Sequence, residues 1–214
     1  METTNAEAAR RLVRKVLDHA IDGVPPLSSA STLARGYAHD RSYASDDDRV
    51  DALIRWEASK NFTSGFLTSL GGLITLPVSV PAGLGASWVI QARLCGAIAE
   101  LYGHSLREDR VRTLVLLALV GDSAKELIKD SGILVGKRLT LAAIERLPGK
   151  ALIELNKKAG VGLIAKSGEK TVLNLVKVVP VLGGVVGGSF DAGMCVAVGK
   201  GAKRIFRPGH ELMP

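Results

Sequence analysis

The 214 residues carry 28 Lys and Arg against 21 Asp and Glu, a formal charge of +7, and are 47% apolar but only 4% aromatic. So few aromatics leave the core to Leu, Val, Ile and Ala, which argues against a β-sandwich and for helices packed closely through small residues, in one domain or little more. The basic balance asks for an anionic partner. With no nucleic-acid-binding signature and few rings to stack bases, that partner is not expected to be nucleic acid.

Residues 1–22 interleave Arg10, Arg11, Arg14 and Lys15 with acids and show no apolar core before a cleavage site, so no secretory leader is read there. Ala9, Leu12, Val13, Val16, Leu17 and Ala20 recur at helical spacing and predict an amphipathic helix over about 6–21, ended by Gly23-Val24-Pro25-Pro26. A short helix over about 29–37 follows. Ser45 with Asp46, Asp47 and Asp48 predicts the start of a helix bearing Val50, Leu53, Ile54 and Glu57 on one stripe. From Asn61 to Ala92 there is no charge, a length that suggests a membrane span. Pro77 and Pro81 should divide the run into a helical hairpin instead, the second arm running through Trp88 and Ile98 to Gly103.

Ser105-Leu106-Arg107-Glu108 has the form of a capping box for a helix that is apolar on every side from Thr113 to Gly121 and could run on to Lys129. Helices are further predicted over 135–147, 150–166 and 169–178, with breaks at Pro148-Gly149 and Ser167-Gly168. The last element, 178–199, holds one charge, Asp191, among many glycines, and a basic tail with Lys200, Lys203, Arg204 and Arg207 follows. No strand pattern is visible, so the fold is expected to be all-α: a compact multi-helix bundle with glycine-rich apolar hairpins. Its parts would be an N-terminal helix and linker (1–27), a helical domain (28–207) and a short tail (208–214). Cys95 and Cys195 each lie in an apolar stretch and are expected to be buried free thiols in a reducing compartment, the cytoplasm or the cytoplasmic face of a membrane.

Several motifs in fixed order resemble the bacterial EcsC family: Gly-Phe-Leu-Thr-Ser-Leu-Gly-Gly-Leu-Ile-Thr-Leu-Pro (65–77), Tyr-Gly-His (102–104), Gly-Asp-Ser-Ala-Lys-Glu (121–126), Glu-Leu-Asn-Lys-Lys (154–158), Gly-Glu-Lys (168–170) and Val-Pro-Val-Leu-Gly-Gly-Val-Val-Gly-Gly-Ser-Phe-Asp-Ala (179–192). The similarity spans roughly 37–206. It implies a helical cytoplasmic protein. Because the family's founding member is encoded in some bacteria beside ABC-transporter subunits linked to secretion and membrane proteolysis, it also implies a partner in membrane transport or proteolysis. It implies no reaction.

The polar residues near apolar faces are Glu57, Lys60, Arg93, Asp122, Lys125, Glu126 and Asp191. A lone carboxylate in an apolar helix must be paired, hydrogen-bonded or protonated, so Asp191 is expected to meet Lys60, Arg93 or Lys125. Asp122 and Glu126 at i, i+4, with Glu57 and Asp191, could instead serve a hydrolase or a metal-dependent enzyme. No Glu-x-x-His, His-Glu-x-x-His, Gly-x-Ser-x-Gly or CxxC motif supports that alternative, and no cofactor is expected. Gly71, Gly72, Gly183, Gly184, Gly187 and Gly188 fit close helix packing better than a phosphate loop, since no strand–turn–helix context surrounds them. Nine Lys and Arg against three Glu over 137–177 flank apolar segments and suit an anionic membrane surface or lipid-like ligand. The sequence thus favours a non-enzymatic membrane-peripheral or lipid-binding protein, cytoplasmic or on the inner face of the plasma membrane.

Overall fold

The computed structural model describes residues 2–25, 27–71, 85–130, 144, 147–175 and 180–208. These form eight named α-helices and, apart from a single bridge between Val24 and Leu27, contain no β-structure. The all-α expectation holds. In chain order the helices are α1 (Glu2–Asp22), α2 (Ala30–Ala38), α3 (Asp46–Gly71), α4 (Gly85–Leu101), α5 (Asp109–Val120), a 3₁₀ turn (Gly121–Ser123), α6 (Ala124–Asp130), α7 (Gly149–Leu175) and α8 (Pro180–Phe206).

Their starts follow local chemistry. Ser29 caps α2, its hydroxyl accepting the Thr32 N–H at 3.1 Å, and Ser45 does the same for α3 through Asp48 at 3.2 Å. Asp46, Asp47 and Asp48 then meet the positive end of the α3 dipole. Proline opens α8, where its missing N–H loses nothing, and Pro208 stands just beyond its end.

Four boundaries differ from expectation, each for a visible reason. Ser105 caps only a turn, accepting from Arg107 N–H at 3.3 Å, and α5 begins at Asp109 after Glu108. Gly121 adopts φ +69°, which stops α5 and turns the chain, so Asp122 and Glu126 do not share one continuous helix. Ser167-Gly168 does not break α7: a mid-helix glycine costs only about 1 kcal/mol and leaves every backbone donor in place. The basic tail is not a tail, for α8 carries Lys200, Lys203 and Arg204 as helix.

The core centres on α4 and α5. Every residue from Thr113 to Val120 is buried, as a helix apolar on all sides requires, and Thr113 satisfies its hydroxyl by donating to the Asp109 carbonyl at 2.8 Å. α1 adds Val13, Val16, Leu17 and Ala20 to the same core. Around the centre, α3 and α8 pack most extensively on each other, and α7 packs on α1 and α5.

The register of these helices can be read from side-chain contacts. Asp51 pairs with Lys203 at 2.7 Å and Asp47 with Arg207, while Ile54 fills the space beside Gly199, so α3 and α8 run antiparallel. Glu57 meets Arg93, and Asp47 accepts from Tyr102 just past α4, so α4 runs antiparallel to α3. Val120, at the end of α5, touches the position of Gly162 on α7. Beyond this level α3 continues from Lys60 to Gly71, α7 from Gly162 to Leu175, and α8 runs back to Pro180. At 1.5 Å per residue these extensions are about 16–20 Å long, and those of α3 and α8 leave the same end of the bundle. The uncharged segment that joins α3 to α4, with Pro77 and Pro81, lies outside the described residues. The described parts of the uncharged run, 61–71 and 85–92, belong to two different helices, α3 and α4.

The close contact at Gly199 makes a test. A Cβ there would lie 2.8 Å from Ile54 Cγ1 and 3.2 Å from both Cδ1 and Cγ2. Alanine would gain about 1 kcal/mol of helix propensity, but overpacking a fixed branched side chain costs about 1–3 kcal/mol. Gly199→Ala is therefore expected to destabilise by up to about 2 kcal/mol in urea melts, and to become neutral or stabilising in an Ile54→Ala background.

Candidate functional site

Glu57 lies on the buried stripe of α3 between Ile54 and Ala58, only 1% exposed. A carboxylate there must be matched, and two cations match it. Arg93 of α4, 5% exposed, donates through Nη2 to Oε2 at 2.6 Å, and Lys60, one turn along α3, reaches Oε1 at 3.0 Å. Arg93 also donates through Nη1 to the hydroxyl of Ser28 at 3.2 Å, tying the linker before α2 to the cluster. Its Nε has no hydrogen-bond partner among the described residues. Tyr37 lies close by: burial first, then the Glu57 carboxylate and Tyr43, push its phenol up to about 12. Tyr43 stacks on Tyr37 with ring centroids 6.2 Å apart.

The cluster opens to solvent on one side. Lys60 is half exposed, and its Nζ sits 5.4 Å from the centroid of Trp56, the indole one turn back on α3. Trp56 is 56% exposed, unusual for the largest apolar side chain, while the other tryptophan, Trp88, is fully buried. The sequence reading passes over Trp56, although the signal is present: a Trp four residues before the last cation preceding an uncharged run.

The other predicted residues are not gathered here. Glu126 is exposed on α6, which corrects its reading as a buried acid, and the side chains of Asp122, Lys125 and Asp191 lie outside the described residues. By the α3–α8 register, the Asp191 backbone falls at the level of Phe62 and Thr63. Two of its three expected partners, Lys60 and Arg93, pair with Glu57. Gly71 is the last residue of α3 and Gly72 lies outside the described residues; Gly183, Gly184, Gly187 and Gly188 fall in the first turns of α8, and the packing around them lies outside as well.

Among the described residues no group of His, Cys, Asp and Glu could hold a metal ion, and no helix is long and apolar enough to cross a membrane. Cys95 and Cys195 form no disulfide and are fully buried, and burial with the neighbouring Cys195 raises the Cys95 thiol well above its ordinary value. At the opposite end of the bundle, Asp47 accepts from Tyr102 at 2.6 Å as well as from Arg207, and His104 Nε2 donates to the Phe206 carbonyl at 2.7 Å. The basic residues at the end of α8 therefore serve the fold, pairing with the acids that open α3.

These features define an all-α bundle with a buried ion cluster at its waist and apolar, glycine-rich helix ends on one side. Residues 37–208 match the EcsC protein family. The chain belongs to that family, over most of its length and with α1 outside the matched span. No curated protein and no solved structure matches it.

Proposed function

We propose that the protein is a non-enzymatic, membrane-peripheral member of the EcsC family, docking on the anionic inner face of the plasma membrane through the end of the bundle to which α3 and α8 extend. The observation that carries this reading is the convergence of uncharged chain at that end. The described helical stretches 61–71, 85–89 and 180–190 hold no charged residue, and their antiparallel register brings them together. Apart from Asp191, the charges of α3, α4 and α8 are held at and beyond the other side of the Glu57 cluster. A surface polarised in this way suits an interface between water and hydrocarbon, where apolar area and basic flanks act together. The cytoplasmic leaflet carries the negative potential that a protein of charge +7 would meet. A partner in membrane transport or proteolysis fits the same location.

Vesicle flotation tests it. The protein is expected to float with liposomes containing about one-third phosphatidylglycerol and to lose most of that binding in 0.5 M salt, where the screening length falls to about 4 Å. Protein that stays at the bottom of the gradient at every salt and lipid composition would show that the polarised end serves some other purpose.

A further inference from the structure

We infer that Trp56 and Lys60 form an interfacial anchor that holds the bundle end-on at an anionic phospholipid surface, a reading that rests on the membrane-docking function proposed above. Three observations converge on it. Trp56 is the most exposed aromatic position of α3 for which a contact is seen, and the cation four residues on lies over its ring at 5.4 Å, so the indole is held in place rather than free to fold onto the protein. An indole half in water is the side chain that membrane–water boundaries select, its ring among the headgroups and its N–H hydrated.

The second observation is charge. Among the described residues the cluster joins two cations, Lys60 and Arg93, to one carboxylate, Glu57. Arg93 is buried, so the excess positive charge meets solvent at Lys60, beside the ring, with the exposed Arg55 next to Trp56 in the chain. A phosphodiester headgroup is the anion this arrangement suits: one negative charge, displayed in the plane where an indole also resides.

The third is height. Lys60 is the last charged residue of α3 before the uncharged stretch begins, so Trp56 stands one to two turns below the apolar extension. With the extension in the acyl region, the ring falls at headgroup depth. Two apolar side chains of α7 are also exposed, Val161 at 47% and Ile153 at 59%, about 12 Å apart along the helix. The alternative, docking by the flank of α7, would use Ile153 and Lys157 and leave Trp56 unused.

The test uses the full chain with vesicles of phosphatidylcholine and phosphatidylglycerol whose acyl chains are brominated near the headgroup. Tryptophan emission of the wild type should shift to the blue and be quenched, and the quenching should vanish in Trp56→Phe, because Trp88 is buried. Trp56→Ser should weaken vesicle partition about tenfold, while Ile153→Ser leaves it within about twofold. Both sites are exposed, so thermal melts should be nearly unchanged. Binding without quenching, or weakening by Ile153→Ser and not by Trp56→Ser, overturns the anchor while leaving membrane docking intact. A wild type that binds no vesicle removes both. If Trp56→Ser instead lowers the sedimenting mass in the absence of lipid, the occupant of this face is a second copy of the chain and the anchor is equally overturned.

Discussion

Glu57→Ala is expected to be the most damaging single substitution in α3, lowering stability by about 3–5 kcal/mol, or roughly 6–20 °C in melting temperature for a chain of this size. The loss comes mainly from what is left behind. Arg93 is 5% exposed, and without the carboxylate its guanidinium keeps only the Ser28 contacts at 3.2 and 3.4 Å. Lys60, half in water, merely rehydrates and contributes under about 1 kcal/mol. Glu57→Gln should fall between, since the amide oxygen can still accept one Arg93 hydrogen bond while the charge is gone. Replacing both members, as in Glu57→Leu with Arg93→Met, should recover most of the loss, because a buried pair exchanged for packed apolar residues is often neutral. Thermal melts of the three variants decide the matter. If Glu57→Ala melts with the wild type, the pair is no structural element and the cluster is free to be a ligand site.

The second large effect is expected at Trp88. It is fully buried in the first turn of α4, and by the α3–α4 register it stands opposite Phe62, the level at which the described core ends and the apolar extension begins. Trp88→Ala should cost about 3–5 kcal/mol, the range for emptying an aromatic site that cannot collapse. Trp88→Phe should cost less. Urea titration should show the midpoint falling with little change in slope, as expected when packing is lost and the unfolded state is unaltered. A fall of under about 1 kcal/mol would mean that the boundary between core and extension is plastic.

Local chemistry made much of this fold legible. The caps at Ser29 and Ser45 and the buried centre of α5 all follow from side-chain types at short spacing. Family membership was legible too, from the order of motifs over 65–192. Tertiary pairing was not. Glu57 stands out as an acid on an apolar stripe, but nothing in its neighbourhood encodes a partner 36 residues away, and Arg93 reads only as one of three candidate partners for Asp191. Asp46, Asp47 and Asp48 read as helix-start charges, which they are. That Asp47 also holds Arg207, and that Asp51 holds Lys203, depends on α8 returning alongside α3, a fact that exists only in three dimensions. Backbone conformation accounts for the remaining differences: Gly121 at positive φ ends a helix whose apolar pattern runs straight through, while Gly168 keeps helical geometry where a serine–glycine pair suggested a break.

The pairing of α3 with α8 also bears on how the chain is made. Asp51 and Lys203 are 152 residues apart, and the most extensive helix contact of the bundle spans that separation. At about 5–20 residues per second, a nascent chain has α3 outside the ribosome for roughly 8–30 s before its partner has been synthesised. During that time the stripe of Val50, Leu53, Ile54 and Ala58, together with the apolar stretch after Lys60, has no α8 to cover it. Until the last helix arrives, that stripe is apolar surface open to aggregation. Its long-range topology makes late closure, rather than helix formation, the slow event in its biogenesis.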